Sequence, residues 1–281
     1  MMRRIGSGVA ISIERLVGRR NLVRASRLLL DHARLDLPNR MSNNGEWMVQ
    51  DTVLATGRSE SLVAFDVGAN VGDWSHRLLS EAARTGKQVR VHAFEPAAAT
   101  FDELRGNLLP AFAGSVTLTQ GGVSDHAGGG TLYKVHEMAG SNSIHGVAGT
   151  TDGMSSETIS LCTLEGYCAS TGVDSIDLLK IDTEGHDHLV LTGARDLLVR
   201  GAIDVIQFEY NHRWIGARRY LKDVFDYLPP LGYEIGKVTS GGIEWYGGWS
   251  PELETFREGN YLAVRSASRG RFPSVAWWLD Q

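Results

Sequence analysis

Short apolar runs alternate with amphipathic stretches along most of the chain. The apolar runs predict seven β-strands, at residues 62–66, 89–94, 116–119, 176–182, 203–208, 233–238 and 261–264, and the pattern allows a further strand at 131–135. The amphipathic stretches predict helices at residues 46–55, 74–83, 100–109, 188–199 and 220–228. Such alternation is typical of a parallel sheet covered by helices on both faces. The pattern therefore predicts an α/β fold with a mostly parallel, seven-stranded sheet.

The N-terminal stretch has a different pattern. Residues 9–37 place leucines and valines among arginines ahead of Pro38, which predicts one or two amphipathic helices. We expect the apolar face to pack on the protein itself with the arginines in solvent, and contact with an anionic membrane or an acidic partner is the alternative. Arginines interrupt every apolar run here, so no membrane span and no export signal is expected. The predicted organisation is a helical extension over 1–45, a catalytic domain over 46–266 and a tail over 267–281.

Composition narrows the class of protein. The chain has 281 residues, 42% of them hydrophobic, which suits one α/β core. A net charge of -5 argues against a nucleic-acid partner, because phosphate binding needs dense positive charge. Two cysteines, Cys162 and Cys168, imply neither a disulfide framework nor a thiolate metal site, which suits the cytoplasm. These numbers leave open whether the chain forms a homo-oligomer.

A glycine-containing loop follows the first predicted strand. It carries Asp66, Gly68, Asn70 and Gly72 between the strand and a helix, where glycines let a ligand approach the backbone closely. The GxGxxG pattern of dinucleotide-binding folds is missing, which disfavours an NAD-type oxidoreductase. A loop that opens with a carboxylate suits the ammonium of a methionyl group better than a pyrophosphate.

Two further strand ends complete a candidate cofactor site. Glu95 ends the second strand, where a carboxylate can accept both hydroxyls of a ribose. Ser124 and Asp125 follow the third strand and can reach an adenine, or they are an ordinary turn. The competing interpretation is that Asp66 caps the next helix and that Glu95 is a plain surface charge. Taken together, the positions favour a nucleoside ligand without phosphates.

Polar side chains cluster after the fourth and fifth strands. They are Asp182, Glu184, His186, Glu209, Asn211 and His212. Both strand ends should open at one edge of the sheet, and carboxylates buried together there are costly unless a proton, a base or a cation offsets their repulsion. We therefore expect this cluster to be functional.

Three roles remain open for that cluster. His186, Glu184 or His212 can act as a general base, and Asn211 can orient the acceptor. Asp182, Glu209 and Asn211 can instead hold Mg²⁺, although a metal-free Asp182 that orients cofactor or substrate is the preferred alternative.

Two other segments are candidates for acceptor binding. The Gly- and Ser-rich stretch 140–156 is predicted to cover the acceptor, because a long loop inside a compact domain is often functional. Trp245, Tyr246 and Trp249 lie among glycines and can form a wall against the acceptor or fill the core.

Five ordered blocks give the chain a family resemblance. They are Asp66-Val67-Gly68-Ala69-Asn70-Val71-Gly72, Phe94-Glu95-Pro96, Val123-Ser124-Asp125, Leu179 to His186, and Phe208-Glu209-Tyr210-Asn211. With these blocks the chain resembles the FkbM family of methyltransferases over roughly residues 46–265. The resemblance implies a Rossmann-like class I methyltransferase that uses S-adenosylmethionine. It also implies O-methylation of a small-molecule or glycan hydroxyl, on a sugar, a glycolipid or polysaccharide unit, or a polyketide.

The resemblance also assigns roles. It places the methionyl group at the glycine loop, the ribose at Glu95, adenine near Ser124 and Asp125, and the reaction centre at 182–186. Related O-methyltransferases with Mg²⁺ carry a lysine three residues after the aspartate that ends the fourth strand. Gly185 stands there in this chain, so His186 or Glu184 would have to replace that base. Methyl transfer to nitrogen or a carboxylate, and a noncatalytic scaffold, are the alternative functions.

Overall fold

The computed structural model describes residues 11–36, 40–57, 60–134, 144 and 153–280. The chain divides into two compact units, residues 1–38 and residues 39–281. No helix within the described ranges has the length and apolar character needed to cross a membrane.

The first unit contains the predicted amphipathic helix. Residues 11–17 are helical, and after Gly18 the helix α1 runs over Arg19–Ala33. None of the residues of α1 is buried within this unit.

The second unit is built from one large sheet, one small sheet and short helices. The helices are α2 (Glu46–Thr56), α3 (Asp73–Thr85), α4 (Ala98–Phe112), α5 (Leu164–Thr171), α6 (Asp187–Thr192), α7 (Arg195–Val199) and α8 (Leu221–Tyr227). The strands of the large sheet are β1 (Ser61–Val67), β2 (Gln88–Glu95), β3 (Val116–Gln120), β7 (Ile176–Ile181), β8 (Ile203–Tyr210), β9 (Tyr233–Thr239), β10 (Gly242–Tyr246), β11 (Gly259–Arg265) and β12 (Ser274–Val275). The small sheet contains β4 (Gly122–Val123), β5 (Gly128–Lys134) and β6 (Ser155–Cys162).

The large sheet has nine strands, not the seven that the sequence predicts. Their order is β12-β10-β9-β11-β8-β7-β1-β2-β3, and the seven predicted strands occupy the positions from β9 to β3. Neighbours from β3 to β8 run parallel, whereas β11 is antiparallel to both β8 and β9. The prediction missed β10 because Glu244 interrupts its apolar run. That side chain is nevertheless buried, and it accepts a hydrogen bond from the Tyr246 hydroxyl at 2.7 Å.

The core lies on both faces of the large sheet. Phe65 and Leu179 belong to one buried cluster, while their chain neighbours Ala64 and Leu178 belong to the other. Side chains alternate across a strand, so a parallel sheet covered on both faces needs the continuous apolar runs that predicted these strands.

The small sheet was only partly predicted. The strand allowed at 131–135 is β5, which pairs antiparallel with β6, and β4 pairs parallel with β6. The sequence analysis assigned no strand to 155–162, because serines and threonines alternate there with apolar residues on a strand that is exposed on one side.

The single helix predicted over 188–199 is two short helices. The break lies at Gly193, whose backbone packs so closely on the loop after β4 that an added Cβ would lie 2.0 Å from the carbonyl oxygen of Ser124. This contact fixes the loop that carries Ser124 against the end of α6.

Candidate active site

A cavity opens at the carboxyl ends of β1, β2 and β7. Its volume is about 710 Å³, counting the part that faces solvent. The lining residues are Val67, Gly68, Asn70, Phe94, Glu95, Pro96, Thr100, Gly121, Gly122, Val123, Leu132, Ile144, Asp182, Thr183, Glu184 and His186. Ligands of open α/β sheets bind at this edge, so the predicted cofactor and reaction-centre segments meet where the fold favours a ligand.

The glycine loop is tied to the neighbouring strand ends. Gly68 has φ +82°, and a Cβ on it would lie 1.9 Å from the carbonyl oxygen of Asp182. The amides of Gly68 and Ala69 donate to the carbonyl oxygen of Phe94 at 3.0 and 2.9 Å. Gly72 is instead the N-cap of α3 and packs on Leu104, so it supports the loop from behind.

Asp66 lies beneath the cavity and is not among its lining residues. The carboxylate is fully buried and accepts a hydrogen bond from the Ser75 hydroxyl at 2.6 Å. Burial raises the pKa of Asp66, and nearby Lys180 opposes that shift. The interpretation of Asp66 as the cap of α3 is wrong, because Gly72 holds the N-cap position.

Lys180 links the buried Asp66 to Asp182, which lines the cavity. The sequence analysis assigned no role to Lys180. Its ammonium lies 3.0 Å from Asp182 Oδ2 and 3.9 Å from Asp66 Oδ1. Burial alone would lower the pKa of Lys180, but the carboxylates of Asp182 and Asp66 raise it above its usual value. Lys180 therefore stays charged and holds Asp182 in place at the cavity wall.

Glu95 presents a fixed carboxylate to the cavity. The amide of Asn70 donates to Oε2 at 3.0 Å, and the amide of Ala97 donates to Oε1 at 2.9 Å. Burial raises the pKa of Glu95 to about 7 despite these two hydrogen bonds. A carboxylate has about four acceptor positions, so each oxygen keeps capacity for one ligand hydroxyl.

Glu184 lies in a strained and crowded place. Its φ is +56°, which is uncommon for a residue with a side chain. Arg213 Nε contacts its carboxylate at 2.7 Å, and Asn211 Nδ2 donates to Oε2 at 3.1 Å. Burial and then the charge of Asp182 raise the pKa of Glu184 to about 7.

A third carboxyl in this region is also perturbed. Asp187 is fully buried, and its Oδ2 accepts hydrogen bonds from the Thr183 hydroxyl at 2.9 Å and the Gly185 amide at 3.3 Å. Burial and the charge of Asp182 raise its pKa to about 8.

The predicted metal ligands are only partly brought together. Oxygens of Asp182, Glu184 and Glu209 lie within 4.8 Å of one another, which is close enough for a cation. Asn211 does not fit as a ligand, because its Nδ2 donates to Glu209 Oε2 at 2.7 Å and its Oδ1 accepts from the Arg213 amide at 2.9 Å. A backbone amide can only donate, so this contact fixes the side-chain orientation. Arg213 also supplies a positive charge to the cluster.

His186 is connected to the surface through a chain of hydrogen bonds. Its Nε2 lies 2.9 Å from the Ser124 hydroxyl, which donates to Asp125 Oδ1 at 3.1 Å. The exposed His126 contacts the same oxygen at 2.7 Å, and chiefly this contact lowers the pKa of Asp125. Ser124 therefore stands between the His186 ring and the Asp125 carboxylate.

Several predicted residues lie away from the cavity lining. Ser124 and Asp125 stand behind His186, and His212 is exposed at the start of a 3₁₀ turn. Trp245 and Tyr246 fill the core on opposite faces of the sheet. Most of the stretch 140–156 lies outside the described residues, but Ile144 lines the cavity.

The sequence analysis also missed part of the cavity wall. Gly121, Gly122 and Leu132 line it from the small sheet, and Thr183 lines it between two predicted residues. Leu132 is the one buried residue of β5, and its apolar side chain within the strand allowed at 131–135 was the signal that could have placed it on a wall.

The comparison with protein families identifies a methyltransferase domain. The family profile described as "Methyltransferase FkbM domain" matches residues 66–235. No protein of curated function gives a significant match.

Solved structures match with low identity and low TM-scores. A methyltransferase FkbM from Methylobacillus flagellatus has 16% identity and a TM-score of 0.47, with 75% of this chain and 45% of that chain covered. An rRNA methylase from Streptococcus thermophilus has 10% identity and a TM-score of 0.44, with coverages of 80% and 99%. TrmK from M. capricolum, solved with S-adenosyl-homocysteine, has 10% identity and a TM-score of 0.41, with coverages of 81% and 70%. The chain thus spans less than half the length of the first of these proteins.

Proposed function

Because the chain belongs to the FkbM family of methyltransferases, we propose that it transfers a methyl group from S-adenosylmethionine to a hydroxyl oxygen of a small-molecule or glycan acceptor. The observation that supports this most is the convergence of two kinds of group on one cavity. Glu95 offers a carboxylate fixed by two backbone amides, and Asp182, Glu184 and His186 line the same cavity. The cofactor supplies an activated methyl, and the protein aligns the acceptor with it.

The cavity fits a nucleoside with an amino-acid tail. Glu95 would accept the two ribose hydroxyls, and the apolar side chains of Phe94, Val123 and Leu132 offer a surface for the adenine ring. Asp182, whose side chain is 35% exposed, would face the ammonium of the methionyl group. In this assignment Asp66 acts indirectly, since it helps to hold Lys180 and thereby Asp182.

His186 is the preferred base for the acceptor proton. The side chains of Asp125 and Ser124 orient the His186 ring at the cavity lining, and the carboxylate at the far end stabilises the positive charge that forms when the ring takes up a proton. Glu184 is less suited, because Arg213 and Asn211 already occupy its carboxylate.

The donor set favours transfer without a bound metal. Asn211 turns an amide N–H toward the carboxylates, and Arg213 offsets part of their charge. We therefore expect turnover to persist in the presence of a chelator and to be unchanged by added Mg²⁺. Loss of turnover on chelation, restored by Mg²⁺ alone, would reverse this assignment and make Asp182, Glu184 and Glu209 the ligands.

Calorimetric titration with S-adenosylmethionine and S-adenosylhomocysteine tests the cofactor directly. We expect the wild type to bind both, and Glu95→Ala to bind at least tenfold more weakly, as loss of a charged hydrogen-bonding group costs about 1.5–3 kcal/mol. Glu103→Ala, an exposed change on α4, is the matched control and should bind like the wild type. Failure of the wild type to bind either ligand would refute the proposed activity.

The methylated atom is tested separately. With ¹³C-methyl-labelled cofactor, an O-methyl ether, an N-methyl and a methyl ester give distinct carbon shifts, and only the ester is cleaved by mild base. A labelled N-methyl or ester product would leave the methyltransferase assignment intact and overturn the hydroxyl acceptor.

A further inference from the structure

The two units of the chain carry opposite charge. Residues 1–38 contain eight arginines, no lysine and three acidic residues, which gives a net charge of +5. Residues 39–281 contain 20 basic and 30 acidic residues, which gives -10. The positive charge is therefore concentrated in the unit that carries no residue of the cavity.

Within α1 a stripe of apolar residues and three of the four arginines lie on opposite sides. Leu22, Ala25, Leu29 and Ala33 recur three or four positions apart, which places them on one face of a helix. Arg20, Arg24 and Arg27 have the same spacing on the opposite face. The helix is thus amphipathic although no residue in it is buried.

The apolar side chains of this segment are exposed to an unusual degree. Leu16, Leu28 and Leu29 have 85%, 71% and 72% of their surface accessible. Exposed apolar surface of this size, next to a basic face, marks an interaction site.

We infer that residues 11–33 bind the surface of an anionic lipid bilayer, lying in the plane of the membrane. A bilayer of this kind offers both negative headgroups and an apolar interior, so it satisfies the arginines and the leucines together. An acidic protein would leave the leucines in water, and a second copy packed through the leucines would leave the arginines unused. No helix in the part of the chain that the structure describes is long and apolar enough to cross a membrane, so the segment lies on the surface.

The full-length protein tests this by flotation with vesicles, without cofactor. We expect binding to vesicles of phosphatidylcholine mixed with phosphatidylglycerol, and little binding to phosphatidylcholine alone. Added salt should weaken the binding, because it screens the arginine contribution. Hydrogen exchange should slow on binding within residues 11–33.

Two variants separate the contributions of the two faces. Each arginine near an anionic surface contributes roughly a fivefold change in partitioning, so Arg20→Gln with Arg24→Gln and Arg27→Gln should lower it about a hundredfold. Leu29→Glu should also abolish flotation, because it places a charge in the apolar face. The matched control changes three exposed arginines of the second unit, Arg84→Gln, Arg105→Gln and Arg195→Gln, and should float like the wild type.

Three results would overturn the inference. The first is a wild type that floats with neither vesicle, and the second is an equal loss in the control triple variant, which would show that only total charge matters. The third is a wild type that sediments as a dimer, does not bind vesicles, and becomes a monomer on Leu29→Glu. That result would assign the apolar face to a second copy. Cofactor titration of the same samples reports on the cavity independently, so failure here leaves the proposed activity untouched.

Discussion

Two glycines with nearly the same backbone angle show how position decides the role of a residue. Gly68 has φ +82° and Gly86 has φ +71°, so both favour glycine over a residue with a side chain. A Cβ at Gly68 would lie 1.9 Å from the Asp182 carbonyl oxygen, whereas nothing lies within 4 Å of a Cβ at Gly86. Only Gly68 is required by a close approach of two loops.

This contrast gives a prediction for stability. Gly86→Ala should lower the free energy of unfolding by about 1 kcal/mol, because a side chain disfavours the left-handed conformation. Gly68→Ala adds a steric overlap with backbone and should cost about 3 kcal/mol or more, with weakened cofactor binding because Asp182 is displaced. Urea unfolding of both variants measures the difference, and equal losses would show that the loops adjust freely.

The hydrogen bond between His186 and Ser124 gives a prediction for catalysis. If Ser124 acts by fixing His186, then His186→Gln and Ser124→Ala should each lower kcat, the first by about 10²–10⁴. The double variant should be no slower than His186→Gln, because residues acting as one unit are not additive. His76→Gln, an exposed change on α3 outside this chain of hydrogen bonds, is the control.

The pH dependence of kcat distinguishes this from a purely structural role. Ser124→Ala should shift the acidic limb of the profile to lower pH, since it disconnects His186 from the Asp125 carboxylate and so lowers the pKa of the base. Additive losses with an unchanged profile would contradict the assignment of Ser124 as a positioning residue.

At the scale of elements, the sequence predicts the strands best where burial is uniform. β1, β7 and β8 are buried on both faces, so apolar residues dominate them despite single polar residues such as Asp66, Asp177 and Gln207, and their ends are predicted to within two residues. β6 and β10 were missed because each mixes polar and apolar residues. The break between α6 and α7 depends on a contact between Gly193 and Ser124, which are far apart in sequence, and no local pattern contains it.

The candidate site also has features that the sequence predicts and features that depend on packing. Strand ends at the carboxyl edge follow from the fold class, so Glu95, Asp182, Glu184 and His186 were found from their positions. The sequence does not predict that Asp66 is buried beside Lys180, nor that the Asn211 amide nitrogen faces Glu209. Both depend on side-chain packing, which the spacing of residues along the chain does not specify.

The break between α6 and α7 can be tested with a second pair of glycines. Gly193→Ala places a Cβ 2.0 Å from the Ser124 carbonyl oxygen and should destabilise the fold by about 1–3 kcal/mol. Gly106→Ala, inside α4 with nothing within 4 Å, should stabilise it by about 0.5–1 kcal/mol. Thermal unfolding measures whether each variant is less or more stable than the wild type. A stabilising Gly193→Ala would mean that the two helices are not held by this contact.

At the scale of the whole molecule, several carboxyls at one edge of the sheet resist ionisation. Burial raises the pKa of Glu95 and Glu184 to about 7 and that of Asp187 to about 8. Their pKa values in the unfolded chain are near the ordinary 4.5, 4.5 and 3.8. The fold therefore binds protons that the unfolded chain has released, and this contribution to stability is present below about pH 4 and lost as pH rises through 7 to 8.

Stability of the ligand-free protein should accordingly fall from pH 5 to pH 8, by on the order of several kcal/mol. Asp187→Asn mimics the protonated acid, so it should match the wild type near pH 5 and exceed it near pH 8. Unfolding curves across this range provide the measurement. A wild type whose stability is flat or rising over the range would contradict the raised pKa values.

The small sheet has a consequence for how the family can diversify. Lys134 and Ser155 are paired neighbours at the ends of β5 and β6, so the residues between them leave and re-enter the fold at a single point. A connection anchored in this way can change length at little cost, about 0.6 kcal/mol for each doubling. Ile144, within that connection, lines the cavity. Segment 135–154 should therefore tolerate changes of length and sequence that leave the large sheet intact.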